Sequence, residues 1–379
     1  MIKIGITGQA GFVGTHLFNT LGLNPEKYER VPFMDEYFSD AQALESFVKQ
    51  CDTIIHLAAM NRHNDPQVLY ETNINLVQKL INACEQTQST PHILFSSSTQ
   101  EERDNLYGKS KKEGRELFEK WADKNNAQFT GIIIPNVYGP FGHPYYNSVV
   151  ATFCHQLTHN ETPKIEIDGE IKLIYVSELV ETIIKKISEN QFNPRHLRSN
   201  ELFMVPHTAQ IKVSALLQKL QEFKSNYFDY GIIPSLDNPF ERNLFNTFLC
   251  YIDHASFFPF NLKINTDERG SFVETVKLNS GGQVSFSTTV PGITRGNHYH
   301  TRKAERFAVI KGKARIDIRR IGTDKVLSFE LDGAQPSFVD MPIWHTHNIT
   351  NIGTEELYTI FWINEHYNPE DGDTYFEKV

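Results

Sequence analysis

The 379 residues contain few cysteines and no long apolar run, features that would indicate a disulfide-rich or a membrane protein. Only four cysteines occur, none of them with CxxC spacing, and there is no low-complexity tract. A reduced cytosolic protein fits this cysteine usage best. No apolar run approaches the length of about 20 residues that spans a bilayer, and the first residues lead straight into an apolar strand pattern instead of a signal peptide. We therefore expect a cytoplasmic protein that does not associate with a membrane.

Positive charge is also scarce. The chain has 37 lysines and arginines against 46 acidic residues, which gives a formal net charge of -9 and a pI of about 5.9. A nucleic-acid-binding surface needs clustered cations, so we expect no nucleic-acid partner, although an anionic small ligand remains compatible with this balance. The length exceeds what one hydrophobic core comfortably supports and accommodates two domains.

Two patterns of secondary structure divide the chain. In residues 1 to about 190, short apolar strands, predicted at 3–7, 53–58, 93–97 and 131–134, alternate with helical spacing. This alternation predicts an α/β domain whose parallel sheet is covered on both faces. Beyond about residue 255, short strands with period-two alternation predict an all-β barrel or sandwich. We predict domains at 1–245 and 253–379.

A glycine-rich turn follows the first predicted strand. Its GxxGxxG spacing lets the backbone turn tightly and lets a pyrophosphate approach the amides at the start of the next helix. Because the turn lies between a strand and a helix at the start of an α/β pattern, it favours a dinucleotide site over a chance glycine-rich turn. The cofactor-binding residues predicted here are Gly8, Gly11, Phe12, Val13 and Gly14.

The choice between NAD and NADP depends on the end of the second strand, roughly 20 residues further on. This stretch offers an acid, Glu29, and a base, Arg30. Arg30 is the candidate partner of a 2'-phosphate, but a solvated arginine at a strand end is an equally good interpretation. The residues alone therefore leave the choice of cofactor open.

A tyrosine and a lysine four residues apart form the candidate catalytic pair. Tyr107 and Lys111 share one face of a predicted helix, where the ammonium can stabilise the phenolate and lower the tyrosine pKa from its usual value of about 10. Tyr107 is then the proton donor in a carbonyl reduction, and a surface pair without function is the alternative. The serine run ending at Ser98 follows a predicted parallel strand and places a hydroxyl at the sheet edge where ligands bind. Together the three groups favour a hydride-transfer site.

These motifs resemble those of extended short-chain dehydrogenases/reductases that act on nucleotide sugars. The resemblance covers residues 1 to about 245 and includes Thr7–Gly14, Asp52 with His56–Ala59, Asn73, the serine run, Tyr107–Lys111, Pro135–Pro140 and Tyr175–Val176. It implies that Ser98 polarises the carbonyl, that Tyr107 transfers the proton and that Lys111 also holds the nicotinamide ribose.

The same resemblance implies further contacts. Leu57 and Ala58 are expected to contact the cofactor, and Asn136 is expected to contact the substrate. The family's usual arginine before this asparagine is replaced by Ile133 or thereabouts, and the tyrosine follows the serine after only nine positions, a shorter interval than usual. Both departures concern the details of substrate binding.

A cluster of histidines forms a second candidate site in the C-terminal half. His298 and His300 are two residues apart on a predicted strand, so both side chains project to the same side. With Glu305 and His347 they form a donor set that suits a divalent metal, while His345 is expected to be a neighbour. The spacings resemble the two cupin motifs and imply a jelly-roll barrel. A histidine-rich cupin pocket without metal is the alternative, and the ligands do not distinguish zinc, iron, manganese and nickel.

The whole chain, in this domain order, is similar to the CapF family of capsular polysaccharide enzymes and their O-antigen relatives. The similarity extends to segments more specific than a cofactor loop, namely Asn61–Arg62, Tyr146–Val149, Asp267 with Arg269–Phe272, Pro291–Thr294 and Asp373–Phe376. It implies a bifunctional enzyme on the route to UDP-N-acetyl-L-fucosamine. The cupin would epimerise C3 of a UDP-2-acetamido-2,6-dideoxy-4-hexulose, and the reductase domain would reduce C4 with NADPH to a UDP-2-acetamido-2,6-dideoxy-L-talose.

This similarity also implies partners and ligands. Asn147 and Ser148 are expected to bind the UDP-linked 4-keto-6-deoxy amino sugar. The metal is expected to be zinc, and the protein is expected to form a homodimer through the cupin. Three alternatives remain: a reductase whose cupin is only a binding or dimerisation module, a nucleotide-sensing regulator, and a cupin dioxygenase. The base that would remove the C3 proton is not assigned.

Overall fold

The computed structural model describes residues 1–192 and 200–379. The chain divides into two compact units. Unit 1 comprises Met1–Thr152 with Gly169–Lys212, and unit 2 comprises Phe153–Asp168 with Val213–Val379. Among the described residues, no helix has both the length and the apolar character needed to cross a membrane.

Unit 1 is built on a six-stranded parallel sheet. Its strands are β1 (Ile2–Thr7), β2 (Tyr28–Val31), β3 (Thr53–His56), β4 (His92–Ser98), β5 (Phe129–Ile134) and β8 (Asn200–Met204). They are ordered β2-β1-β3-β4-β5-β8, and each neighbouring pair is parallel. All four residues of β3 are buried, as expected for a strand covered on both faces. The predicted Rossmann-like sheet is confirmed.

Helices cover this sheet. They are α1 (Phe12–Leu21), α2 (Ala41–Gln50), α3 (Pro66–Thr87), α4 (Leu106–Asn125) and α6 (Val176–Phe192), while α5 (Val149–Thr158) runs from unit 1 into unit 2. Asp40, Asp65 and Asn105 cap α2, α3 and α4 by accepting hydrogen bonds from first-turn amides. Successive strand residues enter opposite apolar cores, since Ile54 belongs to one buried cluster and Ile55 to the other.

The order of the strands creates a crevice at one edge of the sheet. β1 has β2 on one side and β3 on the other, so the chain reverses its direction of progress across the sheet at this point. Ligands of open α/β sheets bind outside the carboxyl ends of the strands at such a switch point. A small second sheet in unit 1 comprises β6 (Asn136–Tyr138), β7 (Glu170–Tyr175) and β9 (Ala209–Lys212).

Unit 2 contains two five-stranded sheets whose strands pair antiparallel. The first has the order β11 (Phe260–Asn261), β20 (Ser337–Met341), β17 (Glu305–Lys311), β22 (Leu357–Ile363) and β15 (Gln283–Thr289). The second has the order β19 (Val326–Asp332), β18 (Lys313–Arg320), β21 (His345–Asn351), β16 (Thr294–Tyr299) and β23 (Tyr375–Phe376). Residues of both sheets share one buried apolar cluster, and the predicted all-β domain is confirmed.

Smaller pairs of strands complete unit 2. They are β12 (Ile264–Asp267) with β13 (Gly270–Val273), and β10 (Ile232–Ile233) with β14 (Lys277–Leu278). Three helices also belong to this unit, namely α7 (Val213–Phe223), α8 (Pro239–Leu249) and α9 (His254–Phe257).

Polar contacts join the segment after α7 to the β-sheets of unit 2. The Tyr227 hydroxyl donates to Asp340 of β20 at 2.6 Å, and Arg306 of β17 donates to the Gly231 carbonyl at 2.7 Å. The chain passes from unit 1 into unit 2 for the last time after Lys212, earlier than the expected domain boundary between residues 245 and 253. The predicted domain limits, 1–245 and 253–379, stay a prediction.

Candidate active site and metal centre

The glycine-rich turn of unit 1 lies directly beside the end of β3. Gly8 has a φ of +69°, and a Cβ placed on it would lie 2.8 Å from the backbone nitrogen of Ala58 and 3.2 Å from the carbonyl carbon of Leu57. A Cβ on Gly14 would lie 2.3 Å from the Gly8 carbonyl oxygen. The turn thus requires glycine for its conformation and for its close packing, and it brings five predicted cofactor residues and Leu57–Ala58 to one crevice.

The start of α1 completes this candidate phosphate site. Gly11 is the N-cap, and no side chain caps the first turn of the helix. Uncapped first-turn amides and the positive end of the helix dipole favour an anion. Phe12 and Val13, the first two helical residues, therefore occupy the position that a pyrophosphate would approach.

Arg30 lies at the other end of α1. Its guanidinium donates to the Phe18 carbonyl at 3.1 Å and lies 4.2 Å from the centre of the Phe18 ring, close to Gly22. This structure therefore does not bring Arg30 to the glycine turn. Its role in recognising a 2'-phosphate stays a prediction.

Tyr107 and Lys111 lie one above the other in the first turns of α4. The buried Lys111 ammonium donates to the Ser96 carbonyl of β4 at 2.9 Å and lies 5.8 Å from the centre of the Tyr107 ring. Ser98 ends β4, and its hydroxyl accepts a hydrogen bond from Gln100 N. A Cβ on Gly108 would meet the Gln100 carbonyl at 2.0 Å, so the turn after Ser98 packs closely against the helix that carries Tyr107.

Burial sets the protonation of this pair. It raises the pKa of Tyr107 to about 12, with a further contribution from the neighbouring Tyr146. It lowers the pKa of Lys111 to about 8, against an opposing effect of Glu101. The expected lowering of the tyrosine pKa is therefore wrong for this structure, because burial disfavours the charged phenolate. Tyr107 is held as the neutral phenol, which is the form that a proton donor needs.

Asn61 connects the phenol to the loop that follows β3. Its side-chain oxygen accepts a hydrogen bond from the Tyr107 hydroxyl at 3.2 Å. Its backbone nitrogen donates to the Tyr146 hydroxyl at 3.1 Å, and its carbonyl accepts from the Asn147 side chain at 2.8 Å. The sequence analysis noted Asn61 only as part of a family-specific segment and assigned it no role.

Asn73 of α3 fixes this loop against α4. Its side-chain oxygen accepts from Met60 N at 2.7 Å, and its side-chain nitrogen donates to the Met60 carbonyl at 3.0 Å and to the Ser110 hydroxyl at 3.1 Å. Asn73 is buried, so these three bonds hold Met60, and with it Asn61, at a fixed place relative to α4.

A cleft in unit 1 adjoins Asn61. Its volume is ≈ 460 Å³, and it is lined by Arg62, Tyr145, Tyr146, Asn147, Ser148, Val149 and Thr152. The predicted substrate residues Asn147 and Ser148 therefore line this cleft. Tyr146, which also lines it, accepts a hydrogen bond from Asn61, the residue that contacts the Tyr107 hydroxyl. Asn136 lies on β6 and donates to the Lys172 carbonyl at 3.3 Å. Its contact with the substrate stays a prediction.

The four predicted metal ligands converge in unit 2. One ligating atom from each of His298, His300, Glu305 and His347 lies within 4.8 Å of those of the other three. Glu305 Oε2 is 3.2 Å from His300 Nε2 and 3.1 Å from His347 Nε2. Outside this cluster, these three buried atoms have no hydrogen-bonding partner in the described part of the chain. Buried imidazole and carboxylate atoms that converge without partners fit a divalent cation.

Backbone carbonyls orient two of these rings. His300 Nδ1 lies against the Asp373 carbonyl, and His347 Nδ1 is 3.2 Å from the His345 carbonyl. Because a carbonyl only accepts, each Nδ1 carries the proton and each Nε2 presents its lone pair to the cluster, an arrangement common at metal sites.

Comparisons with known proteins assign these motifs to a family. The chain is 34% identical over 376 residues to the UDP-2-acetamido-2,6-beta-L-arabino-hexul-4-ose reductase of Pseudomonas aeruginosa, with 99% of this chain and 98% of the relative covered. It is 32% identical to the capsular polysaccharide assembling protein CapF from Staphylococcus aureus, whose crystal structure matches with a TM-score of 0.61 and complete coverage of both chains. This chain belongs to the CapF family.

Each half of the CapF family chain also matches a family of its own. Residues 4–197 match the NAD dependent epimerase/dehydratase family, and residues 265–375 match the polysaccharide biosynthesis C-terminal domain. The Bacillus subtilis spore coat polysaccharide biosynthesis protein SpsL is 26% identical over 119 residues, which cover 29% of this chain and 79% of that protein. These matches agree with the α/β and all-β folds of the two halves.

Proposed function

We propose that this CapF family chain is a bifunctional nucleotide-sugar enzyme of capsule or O-antigen synthesis. Its reductase domain reduces the C4 ketone of a UDP-2-acetamido-2,6-dideoxy-4-hexulose with NADPH, and its cupin domain, holding zinc, epimerises C3. The product is a UDP-2-acetamido-2,6-dideoxy-L-talose, a precursor of UDP-N-acetyl-L-fucosamine. The full-length similarity to a relative named as a reductase of a UDP-linked hexul-4-ose supports the substrate class.

One observation carries the reductase assignment. The neutral phenol of Tyr107 lies above the buried Lys111 ammonium and contacts Asn61 in the loop after β3. β3 and the glycine turn after β1 end at the same edge of the sheet. A proton donor and a dinucleotide crevice at one sheet edge are what carbonyl reduction requires.

The residues present fit a nicotinamide dinucleotide. Gly8, Gly11 and Gly14 would admit its pyrophosphate, and Lys111 would hold its ribose. The bound cofactor supplies a hydride to C4. Tyr107 donates its proton to the ketone oxygen as that oxygen becomes an alkoxide, and the Ser98 hydroxyl polarises the same oxygen. The Lys111 ammonium stabilises the phenolate that Tyr107 leaves behind.

The cupin activity follows from the chemistry of the same substrate. A 4-ketone acidifies the proton at C3, so a base can remove this proton to give an enolate, and delivery of a solvent-derived proton to the opposite face inverts the centre. His298, His300, Glu305 and His347 would hold the zinc. Exposed Val284 and Phe286 on the edge strand β15 support a homodimer through this domain.

Two experiments test this proposal. With a 4-keto-6-deoxy UDP-HexNAc and NADPH, Tyr107→Phe is expected to lower kcat by at least about 100-fold, as removal of a general acid does, while NADPH still binds. Tyr70→Phe, which removes a tyrosine hydroxyl bonded to Glu113 on the outer side of α3 and α4, is the matched control. Retained turnover by Tyr107→Phe would exclude the phenol as the acid.

The epimerase is tested without NADPH. In deuterated water the wild-type protein is expected to exchange the C3 proton of the 4-keto substrate for deuterium, detected by mass and NMR. Absence of exchange, with normal reduction once NADPH is added, would leave the cupin as a binding or dimerisation module.

A further inference from the structure

The end of the chain lies along β16, the strand that carries the candidate ligand His298 and leads directly into His300. β23 pairs antiparallel with β16, with His298 opposite Phe376 and Tyr299 opposite Tyr375. On its other side β16 pairs with β21, where His298 lies opposite His347. β16 is thus paired with a neighbouring strand along both of its edges. The residues just before β23 reach the loop that follows His300.

Asp373 binds this loop with its carboxylate. Oδ1 accepts from the Thr301 amide at 3.0 Å and from the Thr301 hydroxyl at 2.7 Å. Oδ2 accepts from the amides of Arg302 and Lys303, both at 3.1 Å. Asp373 is only 6% exposed, and a buried carboxylate is tolerated only when several donors surround it. Four donors from three successive residues meet that requirement and fix the loop between His300 and Glu305.

The backbone of the same residue reaches the ring of His300. The Asp373 carbonyl accepts the hydrogen bond from His300 Nδ1. Asp373 has a φ of +41°, a left-handed conformation that asparagine and aspartate adopt more readily than most residues. The side chain anchors this conformation through the loop, so the direction of the carbonyl depends on the carboxylate.

We propose that Asp373 is a positioning residue of the metal centre. Its carboxylate holds the loop after His300, and its carbonyl fixes the His300 ring with Nε2 facing Glu305. It contacts no metal itself. This inference rests on the proposed metal site, and it adds a residue 73 positions from the ligand that it orients.

Asp371 provides a matched control. It belongs to the same segment and also contacts the loop, but in the described part of the chain its carboxylate accepts only from the partly exposed guanidinium of Arg302, at 2.8 and 3.0 Å. Asp373→Asn replaces an acceptor facing backbone amides with an amide group that offers donors. Asp371→Asn makes the same chemical change at a residue that does not contact the candidate ligand His300.

The experiment uses the full chain stripped with a chelator and titrated with zinc(II) against a chromophoric competitor. Asp373→Asn is expected to weaken zinc binding about 10- to 100-fold, as loss of a supporting partner of a ligand does, and Asp371→Asn is expected to stay within about twofold of wild type. Cobalt(II) in place of zinc gives a second readout. Its visible spectrum reports ligand geometry and is expected to change only in Asp373→Asn.

The outcomes separate the inference from the site on which it rests. If the wild-type chain binds no zinc, both the proposed metal site and the positioning role of Asp373 are rejected. If the wild-type chain binds zinc and Asp373→Asn has the same zinc affinity and the same cobalt spectrum, only the positioning role of Asp373 is rejected. If Asp373→Asn does not fold, Thr301→Val removes just the 2.7 Å bond to Oδ1. A several-fold weaker zinc affinity in that variant supports the inference, and an unchanged affinity rejects it.

Discussion

A buried ion pair next to the candidate metal ligand Glu305 offers a quantitative test of the unit 2 core. Arg306 and Asp340 lie directly opposite each other on β17 and β20. Arg306 is 1% exposed and Asp340 is 4% exposed. The guanidinium donates twice to the carboxylate, each time at 2.8 Å, and Tyr227 adds a third bond. Asp340→Asn removes the charge that balances Arg306 while it preserves the side-chain shape.

The expected loss follows from what remains buried. Hydrogen bonds to a charged group contribute about 1.5–3 kcal/mol each, but their sum overstates the effect because the neutral amide still accepts one bond. Removing one partner of a buried pair costs about 3–5 kcal/mol, since the other charge stays buried without compensation. We therefore expect unit 2 to lose about 3–5 kcal/mol in the free energy of unfolding. Replacing the whole cluster, as Arg306→Met, Asp340→Leu and Tyr227→Phe together, is expected to cost less.

The assay must isolate unit 2 from unit 1 and from the metal. Trp362 is buried next to β17, so its fluorescence during denaturant unfolding reports unit 2. A background in which Trp121 and Trp344 are replaced by phenylalanine removes the other two tryptophans. Chelator keeps metal binding out of the measured stability. A loss below about 1 kcal/mol for Asp340→Asn would refute the reasoning, and so would a triple variant less stable than the single one.

Three further predictions concern the reductase site. Gly8→Ala is expected to weaken NADPH binding at least about tenfold, because its Cβ would lie 2.8 Å from Ala58 N at a φ of +69°; fluorescence titration measures this, and unchanged affinity contradicts it. Reductase kcat is expected to fall as pH rises through about 8, where Lys111 loses its proton; a flat profile to pH 9.5 argues against a role for that charge. Asn61→Ala removes the acceptor that orients the Tyr107 hydroxyl and is expected to lower kcat about tenfold with an unchanged Kd for NADPH; equal kcat would exclude that role.

Features carried by short-range patterns could be predicted from the sequence. The period-two and helical patterns predicted the α/β and all-β halves, because burial on one or both faces acts on neighbouring residues. The glycine spacing predicted a tight turn after β1, and the structure packs this turn against Leu57 and Ala58. The spacing of His298 and His300 predicted that both side chains project to the same side, and the structure brings both to Glu305 and His347, although β16 ends at Tyr299 and His300 follows it.

The pKa of Tyr107 could not be predicted from such a short-range pattern. The spacing of Tyr107 and Lys111 places an ammonium below a phenol, which by itself lowers the tyrosine pKa. The structure adds burial of the phenol and a second phenol at Tyr146, and the pKa rises to about 12 instead. The burial of Tyr107 depends on the loop around Asn61, whose position follows from contacts with α4 and with the segment that contains Tyr146 and Asn147.

Residues that orient a functional group are harder to find because their contacts carry no periodic signal. Asn73 holds Met60 and Ser110, 13 and 37 positions away, and Asp373 holds the loop after His300 from 72 positions away. A ligand must project from a particular strand face, so its spacing is constrained by that strand. A residue that supports the ligand needs only to arrive at the correct point in space, from any element and at any separation. Segments that are characteristic of a family yet lack a role in the chemistry, such as Asn61–Arg62 and Asp373–Phe376, are therefore where such supports should be sought.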